Sequence, residues 1–193
     1  MRIFFDTEFT GLHKETTLVS IGLIGYDGKR FYAELTDYDK DQCDDWLRKN
    51  VLDHLIQNGN EELKNELCAD ENATVVIGDK KYVAEILREW LEGYKLYGVQ
   101  LVSDVCHYDM VLLIDLLCSS AIDMPDYITP FCEDITQMMI HSTDMNGQEA
   151  FDISREQFLT DRGSALPKGR KHNSLYDAEV IKAVYESLEV PFT

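Results

Sequence analysis

Basic residues are scarce in this sequence. Only 18 Lys and Arg stand against 36 Asp and Glu among 193 residues, a formal net charge of −18. A chain held to nucleic acid or to an anionic membrane by a broad basic surface shows the opposite balance, so groove-filling DNA-binding domains and polybasic membrane binders are disfavoured. The cysteines are few: Cys43, Cys68, Cys106, Cys118 and Cys132 are odd in number and contain no CxxC pair. That excludes the common zinc-ribbon spacings and argues against a disulfide framework. Long hydrophobic runs are missing too. The longest, 110–122, is interrupted by Asp115 and is too short to span a bilayer. The N-terminus reaches Asp6 before any signal-peptide apolar region could form. Internal repeats and low-complexity tracts are absent as well. A protein of the reducing cytoplasm is expected, with 1–193 forming a single domain.

Hydrophobic residues make up 45% and charged residues 28%, which suits a globular chain. Ile3-Phe4-Phe5 is a short apolar run ending in acids, the pattern of a buried strand that opens on something polar. Leu18 to Ile24 and Phe31 to Leu35 are β-rich runs joined through Asp27-Gly28, a strong hairpin signal. The first 36 residues thus read as a three-stranded antiparallel meander. Residues 37–72 carry 11 acids and 4 bases and read as an acidic helical insertion, with Trp46, Leu47, Val51 and Leu55 at helical spacing. Asp37, Asp39 and Asp41 imitate a calcium loop, but Gln42 and Arg48 occupy the positions that need Gly and Glu, so a solvated acidic face is expected. Asp79 caps a helix buried along Val83, Leu87 and Leu91, and strand 99–102 and helix 108–118 follow. A short strand at 127–131 leads into a helix at 133–141. Residues 145–170 read as mostly loop with a helix near 154–160. The final helix spans 174–188, buried along Ala178, Ile181, Tyr185 and Leu188. This order predicts an α/β fold, a mixed sheet with helices on both faces.

Asp6 and Glu8 are two apart at the end of the first strand, so their side chains share a face. Adjacent carboxylates repel unless a cation or proton intervenes, and oxygen ligands suit Mg²⁺ or Mn²⁺ rather than zinc. A strand end fraying into solvent is the alternative. The string Asp6-Thr7-Glu8-Phe9-Thr10-Gly11-Leu12 decides between them, because it resembles the first motif of the DEDDh 3′-to-5′ exonucleases. Their fold is ribonuclease H-like and opens with a three-stranded meander. The second motif, an Asp after an aromatic at the start of a helix, is matched by Tyr108-Asp109. Val105 stands where many members have Asn, and Asp104 competes with Asp109 for the metal. Taken alone, Asp109 could equally be a first-turn acid complementing the helix dipole. The third motif, a His followed five positions later by an Asp, is matched by His172 and Asp177. Ser174 to Asp177 is also a capping-box pattern, which would account for Asp177 without catalysis. The conjunction of the three, in order, favours the enzyme, most like the small mycobacterial-type exoribonuclease branch.

The resemblance implies that Asp6, Glu8, Asp109 and Asp177 hold two Mg²⁺ ions, replaceable by Mn²⁺, with four negative charges balanced by four positive ones. It implies His172 as general base, nucleoside 5′-monophosphates as products, and terminal-nucleotide contacts at Phe9, Thr10, Gly11, Leu12 and Tyr108. A basic cluster adjoins the base: Arg162, Lys168, Arg170 and Lys171 against Asp161. Arg170 and Lys171 are expected to meet substrate phosphates. The expected substrate is single-stranded or 3′-overhang RNA, with a DNA exonuclease and a non-catalytic acidic binding protein as alternatives. A homodimer is a family-level expectation.

Overall fold

A computed structural model describes residues 1–118 and 120–189. Strands β1 (Arg2–Phe9), β2 (Leu18–Gly25) and β3 (Arg30–Leu35) form the expected meander, with Asp6 opposite Gly22 and Glu8 opposite Ser20. Gly28 takes φ 88 in the turn between β2 and β3, a left-handed conformation for which Gly carries no steric penalty. Helices α1 (Asp45–Asn50) and α2 (Glu61–Ala69) lead to β4 (Ala73–Gly78), which pairs parallel with β3. Next come α3 (Lys80–Glu92), β5 (Val99–Ser103) parallel to β1, α4 (His107–Leu117) and β6 (Ile128–Asp134) parallel to β5. Four helices close the chain: α5 (Ile135–Ser142), α6 (Gly147–Asp152), α7 (Arg155–Asp161) and α8 (Ser174–Glu189). The six strands lie in the order β4-β3-β2-β1-β5-β6.

Alternation along β1 assigns the two faces. Ile3 and Phe5 pack with Leu87 and Leu91 of α3 and Leu112 and Leu113 of α4. Phe4 points the other way, against Ile135 and Met139 of α5, Leu159 of α7 and Ile181 and Tyr185 of α8. Asp6 and Glu8, in phase with Phe4, therefore emerge on the α8 side.

Four expectations are corrected. Strand β4 lies in a stretch read as no element. It is an edge strand, with Ile77 partly exposed, and it continues directly from the acidic segment, so alternation there is weak. The strand that precedes the second motif is thus the fifth in the chain. Helix α6 falls inside the stretch read as loop, where Gly147 looked like punctuation. Asn146 caps it, accepting from the N–H groups of Gln148 and Glu149 while the Glu149 carboxylate accepts the Asn146 N–H, a reciprocal capping box. Strand β6 runs on to Asp134, beyond the 131 expected. Segment 37–72 is helical but more than a solvated face. Leu47, Val51, Leu52 and Leu55 join Val19 and Tyr38 in a small core, while Trp46, read with that stripe, is 54% exposed.

Candidate active site

The first turn of α8 is seated directly on the end of the meander. A Cβ at Gly22 would lie 2.2 Å from the Leu175 backbone nitrogen, so only glycine lets the helix approach this closely. Gly22 is the partner of Asp6 across the ladder, so the same contact sets α8 beside the acidic end of β1. The hydroxyls of Ser20 and Ser174, 3.1 Å apart and buried, fix the seat. Ser174 is not the cap. Asn173 is, with its Oδ1 accepting the Tyr176 N–H and its carbonyl accepting the Asp177 N–H. The Asp177 carboxylate instead accepts the backbone N–H of His172 at 2.8 Å, and His172 has the left-handed φ of 65.

Ligand atoms of Glu8, His172 and Asp177 lie within 4.8 Å of one another, with His172 Nδ1 4.0 Å from Glu8 Oε1. Asp6 adjoins them. Burial, and then the charges of Asp109, Asp177, Glu8 and Asp104, hold its carboxyl well above the usual range. Burial, and then the charges of Asp177 and Asp109, push Glu8 up to about 8. Asp177 rises to about 7, burial outweighing the His172 N–H that pulls the other way. Burial, then Lys171 and Arg170, lower the His172 imidazole below its ordinary value, which favours its neutral form.

Asp109 reaches this corner from the opposite layer. It is buried at the start of α4, accepting the Thr7 hydroxyl at 2.5 Å and the Ser103 hydroxyl at 2.9 Å, and burial raises it to about 6 despite both bonds. Its competitor Asp104 lines the same cleft as Asp6 and Glu8 but is paired with a cation. Arg155 grips it with Nε at 2.7 Å and Nη2 at 2.9 Å, and spends its remaining donors on Thr136 Oγ1 and the carbonyls of Ala150 and Ile153. All five donors of the guanidinium are satisfied, so a nearly buried cation neutralises Asp104 and stitches α5 and α6 to the end of β5.

Asp6, Glu8, His172 and Asp177 line one cleft of about 480 Å³ with Lys171, Val105 and Phe151. Val105 carries φ 48, uncommon for a β-branched residue, and Phe151 is 59% exposed. Phe151 escaped the sequence because it sits on α6, and Arg155 because its side-chain partners Asp104 and Thr136 lie 51 and 19 positions away and leave no local pattern. The expected substrate residues are dispersed. Phe9 and Tyr108 stack on each other with centroids 5.4 Å apart. Thr10 is buried, donating to Gln42 Oε1 and accepting the Thr17 N–H, so its hydroxyl is committed within the protein. Gly11 donates its N–H to Thr16, and Leu12 is 78% exposed. The basic cluster is divided. Arg162 donates to the Ser187 carbonyl, Lys168 and Arg170 line a separate groove of about 1320 Å³, and Lys171 faces the cleft. Arg170 Nη1 lies 3.1 Å from His54 Nδ1.

Four carboxylates forced together at neutral pH need protons or cations. Their all-oxygen donor set, with one imidazole beside it, fits a hard divalent ion such as Mg²⁺ or Mn²⁺.

Residues 1–188 match the model of a protein family described as the 3′-5′ exoribonuclease Rv2179c-like domain. The chain belongs to this family. Among curated relatives, the 3′-5′ exoribonucleases of two strains of Mycobacterium tuberculosis are each 40% identical over 55 residues, 28% of this chain and 33% of theirs. The aligned stretch therefore spans a third of the length of those relatives. A solved structure of a 3′-exonuclease in 3′-end specific recognition of a histone mRNA stem-loop superposes with a TM-score of 0.60. It is 15% identical, with 97% of this chain and 63% of that one covered, and it shows the ribonuclease H-like fold. The matched region contains the three acidic motifs read from the sequence, which lie on β1, on α4, and on the loop before α8 and its first turn. Among the described residues no helix is long and apolar enough to cross a membrane.

Proposed function

We propose that this chain is a divalent-metal-dependent 3′-5′ exoribonuclease that releases nucleoside 5′-monophosphates from RNA 3′ ends. The observation that carries the reading is the convergence of Asp6, Glu8, Asp109 and Asp177 around the end of β1, with ligand atoms of Glu8, Asp177 and His172 within 4.8 Å of one another. Asp6, Glu8, Asp109 and Asp177 would hold two Mg²⁺ ions, with Mn²⁺ able to substitute. When bound, the ions supply charge neutralisation for the scissile phosphate and an acidified water. The chain supplies the rest. His172 accepts the proton of the attacking water, a role suited to an imidazole whose pKa is lowered. Asp177 holds the His172 backbone through its N–H, and so places the base relative to Glu8. Thr7 and Ser103 fix the Asp109 carboxylate from the far layer. Lys171 offers the cleft a cation for a substrate phosphate, and the exposed Leu12 and the Phe9–Tyr108 stack offer apolar surface for a base. An overall charge of −18 is compatible with this chemistry, because a 3′-end nuclease grips only a few terminal nucleotides.

The test is degradation of 5′-labelled single-stranded RNA and DNA oligomers of one sequence, with Mg²⁺, Mn²⁺ or EDTA, by wild-type protein and the Asp6→Asn and His172→Ala variants. Stepwise shortening from the 3′ end that prefers RNA and requires the metal and both side chains is expected. Faster DNA cleavage would change the substrate class. No cleavage of either polymer by folded wild-type protein would overturn the nuclease reading.

A further inference from the structure

Segment 37–72 contributes no acid to the cleft, yet it touches the loop that follows β1 and the loop that carries His172. On one side Gln42 accepts the Thr10 hydroxyl at 2.5 Å and donates to the Glu15 carbonyl at 3.0 Å, and the Asp39 N–H donates to Thr17 Oγ1 at 2.9 Å. These bonds brace the loop between β1 and β2. On the other side the Trp46 ring stands edge-on to the His172 ring, 5.0 Å between centroids at 77°. Beside it, Arg170 Nη1 contacts His54 Nδ1 at 3.1 Å, while His54 Nε2 faces the Lys49 carbonyl at 3.1 Å. An imidazole that donates from Nε2 presents Nδ1 as an acceptor, so His54 ties the loop before α8 to the segment.

The segment is itself firmly anchored. Glu34, fully buried on β3, accepts the N–H groups of Ile56 and Gln57 at 2.6 and 2.9 Å together with the Tyr32 hydroxyl at 2.8 Å. Leu47, the neighbour of Trp46, is buried with Val19 and Val51. A half-exposed Trp on a rigid mount, on a face otherwise rich in acids, has no use in the core. His172 has the complementary need. Its backbone is held by Asp177 in a sparsely populated conformation, which persists only where the surroundings over-determine it. Its ring makes no hydrogen bond to a side chain among the described residues, since Glu8 is 4.0 Å away.

We propose that segment 37–72 is a bracket joining the β1–β2 loop to the loop before α8, and that Trp46 is the positioning residue through which it orients the His172 imidazole. This rests on the reading of His172 as general base. The bracket explains why an acidic segment with no ligand of its own is folded against the catalytic face: it restrains the one catalytic group carried on a loop, whereas the carboxylates ride on a strand and helices.

The test is a double-mutant cycle between Trp46 and His172, read by kinetics on a labelled RNA oligomer with Mg²⁺ and by NMR of the full-length protein. Trp46→Ala is expected to lower kcat about tenfold with little change in KM, because a misplaced base loses its near-attack geometry. Trp46→Phe, which keeps an aromatic edge, should recover most of that loss. In the His172→Ala background, Trp46→Ala should change kcat by less than about twofold, since its partner is already gone. Amide exchange at His172 should accelerate in Trp46→Ala and return towards wild type in Trp46→Phe. A raised KM with unchanged kcat, or a loss that persists fully without His172, would make Trp46 a substrate contact and overturn the proposal. If wild-type protein proves inactive, the functional reading fails on its own, and the exchange data still judge the bracket: unchanged His172 exchange in Trp46→Ala overturns it.

Discussion

Two regions of this molecule are rich in acid, and they obey different physics. Segment 37–72 holds eleven carboxylates among 36 residues, mostly in solvent or at helix starts, where Asp39 and Asp44 accept backbone N–H groups. Asp70 even falls below its ordinary value, because the Asn72 N–H and Arg30 stabilise its charge. The four acids around the end of β1 are buried together and all rise, Glu8 to about 8. The comparison teaches that acid count carries little information about chemistry. Desolvation and mutual repulsion turn a carboxylate into a cation site, and a solvated one merely sets net charge.

The sharpest way to break that comparison is to neutralise one buried acid. Asp6→Asn should lower exonuclease kcat by a factor of about 1,000 or more while raising the melting temperature in EDTA at pH 8, because it removes a repulsive buried charge. Loss of both activity and stability would mean that the acids serve the fold. The next largest effect is expected at the paired acid. Arg155→Ala strands a partly buried Asp104 and three other acceptors, and should cost about 3–5 kcal/mol in urea unfolding. Gly22→Ala drives a methyl into the α8 backbone and should cost about 3 kcal/mol, with activity lost as Asp177 is displaced from Asp6.

A pH series sharpens the contrast further. Asp109, Asp177 and Glu8 hold their protons more tightly in the folded chain than in the unfolded one, at about 6, 7 and 8. Their contribution to stability is therefore complete below the unfolded carboxylate range, about 4, and is lost as pH rises through the folded values. The melting temperature in EDTA should fall between about pH 5 and 8, and saturating Mg²⁺ or Mn²⁺ should flatten the decline. A flat metal-free profile would contradict the buried cluster. The smallest effect belongs to the solvated acids: Asp41→Asn and Glu71→Gln should shift stability by less than about 0.5 kcal/mol and leave kcat unchanged.

Much of the scaffold was legible because it is written locally. The meander announced itself through Asp27-Gly28 between two β-rich runs, and α3 and α8 through 3.6-residue periodicity. Strand β4 escaped because an edge strand is specified by its single neighbour rather than by its own alternation, and α6 because a capping box overrode the Gly that seemed to end structure there. The choice between Asp109 and Asp104 was left open in the sequence, since both lie near the end of β5. In the structure the two differ in their partners: Arg155, some fifty positions later, pairs Asp104, and the Thr7 and Ser103 hydroxyls hold Asp109.

The sequence by itself determined which residue types could do the chemistry and the spacing that brings them to strand and helix ends. Asp6 and Glu8 share a face because a strand has period two, and Asp177 lies in the first turns of a helix that Asn173 starts. Only the tertiary structure decided how these pieces meet. The backbone contact at Gly22 seats α8, Thr7 reaches through the sheet layer to Asp109, and Trp46 meets His172 across 126 positions of chain. Local patterns report the conformational preference of a few neighbouring residues. Close contacts between distant ones follow from the packing of the whole core, which no single stretch of sequence contains.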